Sequence, residues 1–412
     1  MIKVAVMGYG TIGSGVVEVL DINKNSIAKR AGEEIGVKYI LDLRDFPGDP
    51  IQEKVVHDYK VIANDPEVQI VVETMGGLHP AYEFVSSCLS AGKSVVTSNK
   101  ELVAAKGDEL LKIAKDKNVN FLFEASVGGG IPIIRPISQC LAANRIDEIA
   151  GILNGTTNFI LTMMIDKNMS FEDALKLAQD NGYAEKDPTA DVEGHDACRK
   201  ICILAALCFG KHVYPKDVHT EGITKITLTD VEYVRSWGGV IKLIARASRV
   251  GEDKISAIVS PALVKNSSQL AGVNDVFNAI LVRGDATGDV VFYGKGAGKL
   301  PTASAVVADI LDCARHMTER KDFGWESGTD NYVVDYTELE TALYVRAETS
   351  DKEKSEKDIV SVFGKAEILE RAGAPENEIA FVTPWASEKE LEAKLKTVSS
   401  LNVLSKIRVV DY

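Results

Sequence analysis

No apolar stretch of this chain is long enough to cross a bilayer. The longest, near Ile201–Phe209, is about half of the roughly 20 residues that a span requires. Cysteine is scarce and scattered, with six in 412 residues, which excludes a disulfide scaffold. Positive charge is not in excess either. A net charge of −13 argues against nucleic acid or an anionic membrane surface as the main partner. Long repeats and low-complexity tracts are absent. The N-terminus enters a strand pattern directly, with no secretory signal, so the expected location is the cytoplasm.

What is present is an ordinary globular composition, 45% hydrophobic and 26% charged, in a length that suggests two to three domains. Apolar runs at 2–7 (IKVAVM), 68–73 (VQIVVE), 94–97 (SVVT) and 119–123 (VNFLF) alternate with helical patterns. This alternation predicts an α/β fold opening on a doubly wound parallel sheet of the Rossmann type. Near Gly128–Pro132 a GGGIP stretch reads as a hinge. From about 137 a helical section gives way to β-rich segments such as 255–264 and 288–293, and 301–316 reads as one amphipathic helix. The expected domains are 1–136, completed by 301–325; an α+β unit at 137–300; and a C-terminal unit at 335–412. In the last, strand (341–347), helix (356–363), strand (366–370), strand (378–383), helix (387–396) and strand (405–410) follow the ferredoxin-like βαββαβ order. The charged stretch Asp351–Lys357 is read there as a solvated loop.

Gly8-Tyr9-Gly10-Thr11-Ile12-Gly13 follows the first strand and opens a helix. In that context G-x-G-x-x-G has a physical meaning. Gly8 permits a tight turn, Gly10 lets backbone approach a pyrophosphate, and Gly13 allows close helix–strand packing. The helix N-terminus, through Thr11 and Ile12, adds free N–H groups and partial positive charge. A ligand-free glycine turn is the lesser reading. Segment 38–45 holds both acids (Asp42, Asp45) and Arg44. An acid favours a free ribose 2′-hydroxyl and an arginine a 2′-phosphate; Arg44 tips the expectation to NADP(H), with NAD(H) as the alternative.

The densest chemistry lies at 178–200. Asp196 and Lys200 are four apart on a helix and share a face. Such a pair is usually a surface ion pair. Here the lysine runs into an apolar helix, a loop with Glu185, Asp187 and Asp191 precedes it, and a nucleotide-binding pattern lies upstream. The segment resembles the homoserine dehydrogenase signature A-x3-G-[hydrophobic]-[small]-x2-D-P-x2-D-[aliphatic]-x-G-x-D-x3-K. Ala178, Gly182, Tyr183, Ala184, Asp187, Pro188, Asp191, Val192, Gly194, Asp196 and Lys200 meet it. Supporting blocks follow in that family's order: GYGTIG at 8–13, ETMGG at 73–77, TSNK at 97–100, EASVGGGIP at 124–132, GILNGTTNFIL at 151–161 and GKGAGKLPTASAVV at 294–307. The resemblance covers about the first 320 residues.

The resemblance implies an NAD(P)-dependent reduction of aspartate 4-semialdehyde to homoserine, reversible, in threonine, methionine and isoleucine biosynthesis. By it Lys200 is the general acid/base and Asp196 orients the reacting end of the substrate. Glu185 takes the substrate α-ammonium, with Thr156, Tyr183 and Asp191 in the pocket. Lys100 sits by the nicotinamide, and Gly182 and Gly298 are backbone contacts to the cofactor. It also implies a monovalent cation, Na+, at the hinge, held by Glu124 with the carbonyls of Val127, Gly129 and Ile131, and a homo-oligomer, dimer or tetramer, built on the middle domain. The terminal unit resembles an ACT-type regulatory domain in element order alone. Its first strand–helix turn lacks the glycine-containing sequence expected for effector binding, so a structural or dimerising appendage is an equal reading.

His195, Cys198 and Cys202, with Cys208, could stud one helix with metal ligands, but small cysteines on an apolar helix are normally core filling. His79, His212 and His219 have no partner pattern. Two competing functions remain. An amino-acid dehydrogenase acting at the α-carbon would not need Lys200 placed for a distal aldehyde. A non-catalytic NAD(P) sensor would have no use for the acid–lysine helix.

Overall fold

The computed structural model describes residues 1–412. In its first third the chain runs β1 (Ile2–Met7), α1 (Thr11–Ile22), α2 (Lys24–Ala31), β2 (Ile35–Leu41), β3 (Val55–Val56), α3 (Tyr59–Asn64), β4 (Val68–Glu73), α4 (Ala81–Ser90), β5 (Ser94–Thr97), α5 (Lys100–Lys117) and β6 (Phe121–Leu122). All six strands are parallel, in the order β3-β2-β1-β4-β5-β6. Strands covered by helices on both faces must be apolar throughout, and β1 and β4 are buried almost along their length. The expected strand at 119–123 is shorter than its apolar run. Asn118 closes α5 in the left-handed conformation (φ +53°), and the chain turns at the buried Glu124, two residues after Leu122.

The middle of the chain runs β7 (Ile146–Ile152), α6 (Gly155–Lys167), α7 (Phe171–Asp180), α8 (Thr189–Val192), α9 (His195–Phe209), β8 (His219–Thr220), α10 (Leu228–Ser236), β9 (Gly239–Val250), β10 (Lys254–Lys265), β11 (Phe277–Gly284), β12 (Gly288–Lys295) and α11 (Lys299–Arg315). Helix α11 returns to the first sheet, where Ala303, Val306, Val307 and Ile310 share a core with Val4, Val6 and Val16. Gly15 makes the α1–α11 crossing close, since a Cβ there would lie 3.1 Å from that of Ala303.

The last part runs β13 (Glu340–Thr349), α12 (Lys352–Phe363), β14 (Glu367–Leu369), β15 (Glu378–Val382), β16 (Ala386–Ser387), α13 (Glu388–Thr397) and β17 (Leu401–Val410). The segment read as a solvated loop, Asp351–Lys357, is instead the start of α12. Asp351 caps the helix by accepting from the Lys354 N–H at 3.0 Å, and that capping outweighs the density of charge behind it. Nor does this part stand alone. Its strands lie in the order β17-β13-β15-β14, and β17 pairs in parallel with β10, so one sheet of 11 strands spans middle and C-terminal parts. One face packs on α12 and α13 through Leu343, Val345, Ile359 and Phe381. The other, with Tyr344, Ala380 and Val409, joins the main core. A buried charge network fastens it there: the Asp230 carboxylate accepts from Arg346 Nε (2.8 Å) and the Tyr344 hydroxyl (3.0 Å), and Glu378 pairs with Arg346 and Arg371.

Candidate active site

The strand order reverses direction between β1 and β4, which opens a crevice at their C-terminal ends. The glycine turn sits at that point. Gly8 has φ +94°, a conformation costly for any side chain. A Cβ on Gly13 would fall 1.9 Å from the Gly8 carbonyl oxygen, so only glycine closes the turn. Gly10 has no protein atom within 4 Å of where its Cβ would be; that space is open. The amides of Thr11, Ile12 and Gly13 donate to no protein acceptor, and α1 has no side-chain cap. A helix start with three unfilled N–H groups and a positive dipole end suits a pyrophosphate. At the end of β2, the Asp42 carboxylate accepts from the Tyr9 N–H (2.9 Å) and from the backbone and guanidinium of Arg44. Hydrogen bonds from Arg44 hold that carboxyl well below the usual range.

Loops after β4 and β5 form the next wall. Glu73 is fully buried, and its carboxylate accepts from the Thr97 hydroxyl (2.6 Å) and the Met75 (2.7 Å) and Gly76 (3.3 Å) amides. Burial pushes its pKa up, against those hydrogen bonds. The Thr97 hydroxyl in turn accepts from the Asn99 N–H, and Asn99 caps α5 through Leu102 N while its amide donates to the Gly77 carbonyl. This chain of bonds fixes the start of α5, whose first residue is Lys100.

The third wall comes from β7, α6 and α9. Gly194 (φ +82°) opens α9, and a Cβ there would press on Thr220 and Val259. Asp196 and Lys200 follow on a helix face that is buried almost throughout. Lys200 Nζ donates to Asp196 Oδ2 and to the Leu153 carbonyl, both at 2.7 Å. From the first domain, Lys100 Nζ reaches Asp196 Oδ1 at 2.5 Å. Asn154 Nδ2 donates to Asp196 Oδ2 (2.8 Å) and Asp191 Oδ1 (2.7 Å). Burial raises the Asp196 pKa, but the two ammonium charges outweigh it and hold its carboxyl below the usual range. Burial, reinforced by Lys100, lowers the Lys200 pKa despite Asp196. Asp191 is pushed up by burial. The cluster can therefore present a charged amine that releases its proton more readily than a solvated lysine does.

Thr156 stands beside this cluster and donates to the Tyr183 carbonyl at 2.7 Å. Tyr183 packs edge-on against Phe159 and is half exposed. Gly182 (φ +73°) turns the chain out of α7 toward Glu185, whose exposed carboxylate accepts no hydrogen bond. Gly298 (φ +125°) precedes α11.

At the hinge the structure departs from expectation. The Glu124 carboxylate accepts from the Ile133 (2.6 Å), Ile134 (2.8 Å) and Arg135 (2.9 Å) amides and faces the Arg135 guanidinium. Oxygens aimed at four donors do not fit a cation ligand. The carbonyls of Val127, Gly129 and Ile131 accept no hydrogen bond and stay available. Gly129 (φ +55°) is forced here, as a Cβ would lie 2.3 Å from the Gly296 carbonyl oxygen.

Sequence reading missed Glu73, Asn99, Asn154 and the Leu153 carbonyl. All four lie in the family-like blocks, but Asn99 and Asn154 stand just before helices, where short polar residues read as caps, and Glu73 ends a strand. No helix is long and apolar enough to cross a membrane.

Two family models match the chain: "Homoserine dehydrogenase" over residues 132–311 and "Homoserine dehydrogenase, NAD binding domain" over residues 8–124. A homoserine dehydrogenase of Pseudomonas aeruginosa is 42% identical over 358 residues, 85% of this chain and 82% of that protein. A crystal structure of a homoserine dehydrogenase from Thiobacillus denitrificans is 37% identical, with a TM-score of 0.90 over 100% of this chain and 98% of that one. A hyperthermophilic archaeal homoserine dehydrogenase, solved in complex with NADPH, is 27% identical with a TM-score of 0.64 over 76% of this chain and 97% of that one. With models covering both halves of the crevice and relatives matched across most of their length, the chain belongs to the homoserine dehydrogenase family, and is an oxidoreductase with a nicotinamide-binding domain.

Proposed function

We propose that Lys200 gives and takes back the proton as this enzyme interconverts L-aspartate 4-semialdehyde and L-homoserine, in the route to threonine, methionine and isoleucine. One observation carries the reading. The Lys200 ammonium is buried and tethered by two acceptors, Asp196 Oδ2 and the Leu153 carbonyl, which leaves one of its three protons for a third. A nicotinamide cofactor, its pyrophosphate on the helix start after β1, would supply the hydride when bound. Lys200 donates its proton to the aldehyde oxygen as charge builds there, and its lowered pKa eases that transfer. Asp196 fixes the amine and orients the reacting end of the substrate. Lys100 adds a second positive charge on the same carboxylate. Glu185, Asp191, Thr156 and Tyr183 are assigned to the rest of the substrate; the unpaired Glu185 carboxylate suits an α-ammonium.

NADP(H) is the proposed cofactor, with NAD(H) as a weaker one, held by Gly8, Gly10, Thr11, Ile12 and Gly13, with Gly182 and Gly298. Two facts support it. Asp42, the acid placed for a 2′-hydroxyl, is already taken up by Arg44, whose guanidinium stays exposed; and the archaeal relative carries NADPH. A monovalent cation at the hinge would lie on the carbonyls of Val127, Gly129 and Ile131, without the Glu124 carboxylate. The C-terminal part is read as ACT-type in arrangement. A structural role fits its connection from β13 to α12, which is short and capped by Asp351. The setting proposed is the cytoplasm, and the assembly a homodimer or homotetramer.

The test follows NADPH absorbance with aspartate semialdehyde in the wild type and in Lys200→Ala. The expected loss in kcat is about two orders of magnitude or more, as for removal of a general acid. Turnover at the wild-type rate in a folded mutant removes Lys200 from the chemistry.

A further inference from the structure

At the N-terminus of α6 one neutral side chain joins two carboxylates. Asn154 Oδ1 accepts from the Thr157 N–H (2.8 Å) and hydroxyl (2.9 Å), which caps the helix. Its Nδ2 has two protons, one donated to Asp191 Oδ1 at 2.7 Å and the other to Asp196 Oδ2 at 2.8 Å. The residue is 5% exposed, and no donor or acceptor of its amide is left over. Both carboxylates therefore converge on a single buried nitrogen. Like charges brought so close cannot both stay ionised without compensation.

We infer that Asn154 is a positioning residue of the dehydrogenase reaction, holding Asp191 and Asp196 side by side in their charged forms so that Lys200 keeps a fixed partner. The inference rests on the assignment of Lys200 and Asp196 given above. The charged groups around Asp191 are Asp196 and Lys200 from α9 and Lys100 from α5. Arg199, one turn of α9 away from Asp196, is drawn toward Glu101 at 3.7 Å. Burial raises the Asp191 pKa and the Asp196 charge raises it further; the Asn154 hydrogen bond works against both. Without that amide Asp191 takes a proton at higher pH, and the substrate pocket loses a charge.

Two substitutions separate bridging from capping. Serine is as good a helix cap as asparagine but has no second donor, so Asn154→Ser keeps the α6 cap and removes the bridge. Asn154→Asp also keeps the cap and puts a third carboxylate where the donor was. For Asn154→Ser the expected result is a near-native Tm, a kcat/KM lower by roughly tenfold, and an acid limb of the kcat/KM–pH profile moved up by about one unit. Asn154→Asp moves the limb further. A lowered rate with an unmoved acid limb in both variants would mean a merely structural role and overturn the inference, as would an unchanged profile and rate. Lys200→Ala, run alongside, keeps the two claims apart. If it turns over normally the underlying assignment is wrong. If it is inactive while both Asn154 variants keep the wild-type limb, only the role of Asn154 fails.

Discussion

Two buried charge clusters in this molecule look alike in composition and differ in kind. One joins Asp191, Asp196, Lys100 and Lys200 between α5, α8 and α9. The other joins Asp230, Glu378, Arg346 and Arg371 between α10 and the terminal sheet. In the second the cations are arginines, forked onto oxygens with tyrosine hydroxyls filling what remains, and an arginine keeps its proton at any ordinary pH. That cluster can only fasten. In the first the cations are lysines, compact charges whose protons can leave, and one of them reaches over from the nucleotide-binding part. Buried charge by itself is not a functional signal; a releasable proton at a junction between two domains is.

Exchanging the two kinds of cation breaks the comparison with the largest effect. Lys200→Arg keeps a positive charge beside Asp196 but cannot give up a proton, so kcat should fall almost as far as in Lys200→Ala, about 100-fold or more. Its Tm should move much less. Arg346→Ala should do the opposite. Removing it strands Asp230 inside the protein without a cation, while Glu378 keeps Arg371, at a cost of about 3–5 kcal/mol, read as a lower urea midpoint. The folded fraction should keep a near-native kcat. An Arg346→Ala enzyme that stays stable but loses kcat would erase the distinction.

The glycine turn sharpens the same contrast between holding and reacting. Gly13 is required by the fold, since a Cβ would strike the Gly8 oxygen, whereas nothing of the protein is near a Cβ on Gly10. Gly10→Ala should fold with an unchanged Tm and lose roughly 10- to 100-fold in kcat/KM for the cofactor, because a methyl there intrudes on the ligand's space. Gly13→Ala should lose stability as well. Equal melting of the two mutants, or normal cofactor kinetics in Gly10→Ala, would contradict the reading of the turn.

The first sheet was legible because strand periodicity and the glycine turn are local features, and parallel pairing follows from the helices between them. The contact between Lys200 and Asp196 was legible for the same reason, being a single helical turn. Lys100 on Asp196 was not, as it depends on how two distant segments dock, and spacing carries no such information. Asn154 and Glu73 were hidden by their ordinary look. Asp351–Lys357 misled because a run of charge reads as solvated loop until the Asp351 cap is recognised. The hinge misled in the other direction: Glu124 has the chemistry of a cation ligand, but three amides of the following turn claim its oxygens first.

A third buried cation sets the limit of the comparison. Lys242 in β9 is fully buried, like Lys200, but no carboxylate touches it; Nζ donates to the Val273 carbonyl (2.5 Å), Asn274 Oδ1 (3.1 Å) and Asn158 Oδ1 (3.3 Å). Burial brings its pKa down to about 8. The unfolded chain, with an ordinary lysine pKa near 10.4, then binds more protons than the folded one between about pH 8 and 10.4. Stability from this group must rise with pH across that window and be lost again as pH falls through 8. Other groups titrate there too, so the quantity to measure is the difference between wild type and Lys242→Met in urea unfolding at pH 8 and pH 10. The wild type should gain on the mutant by about 2 kcal/mol between the two, with kcat at pH 7.5 the same in both. A difference independent of pH would mean that Lys242 stays charged in the fold, and a lost kcat would mean that burial of a lysine, without a carboxylate partner or a cleft, is enough to matter for the chemistry.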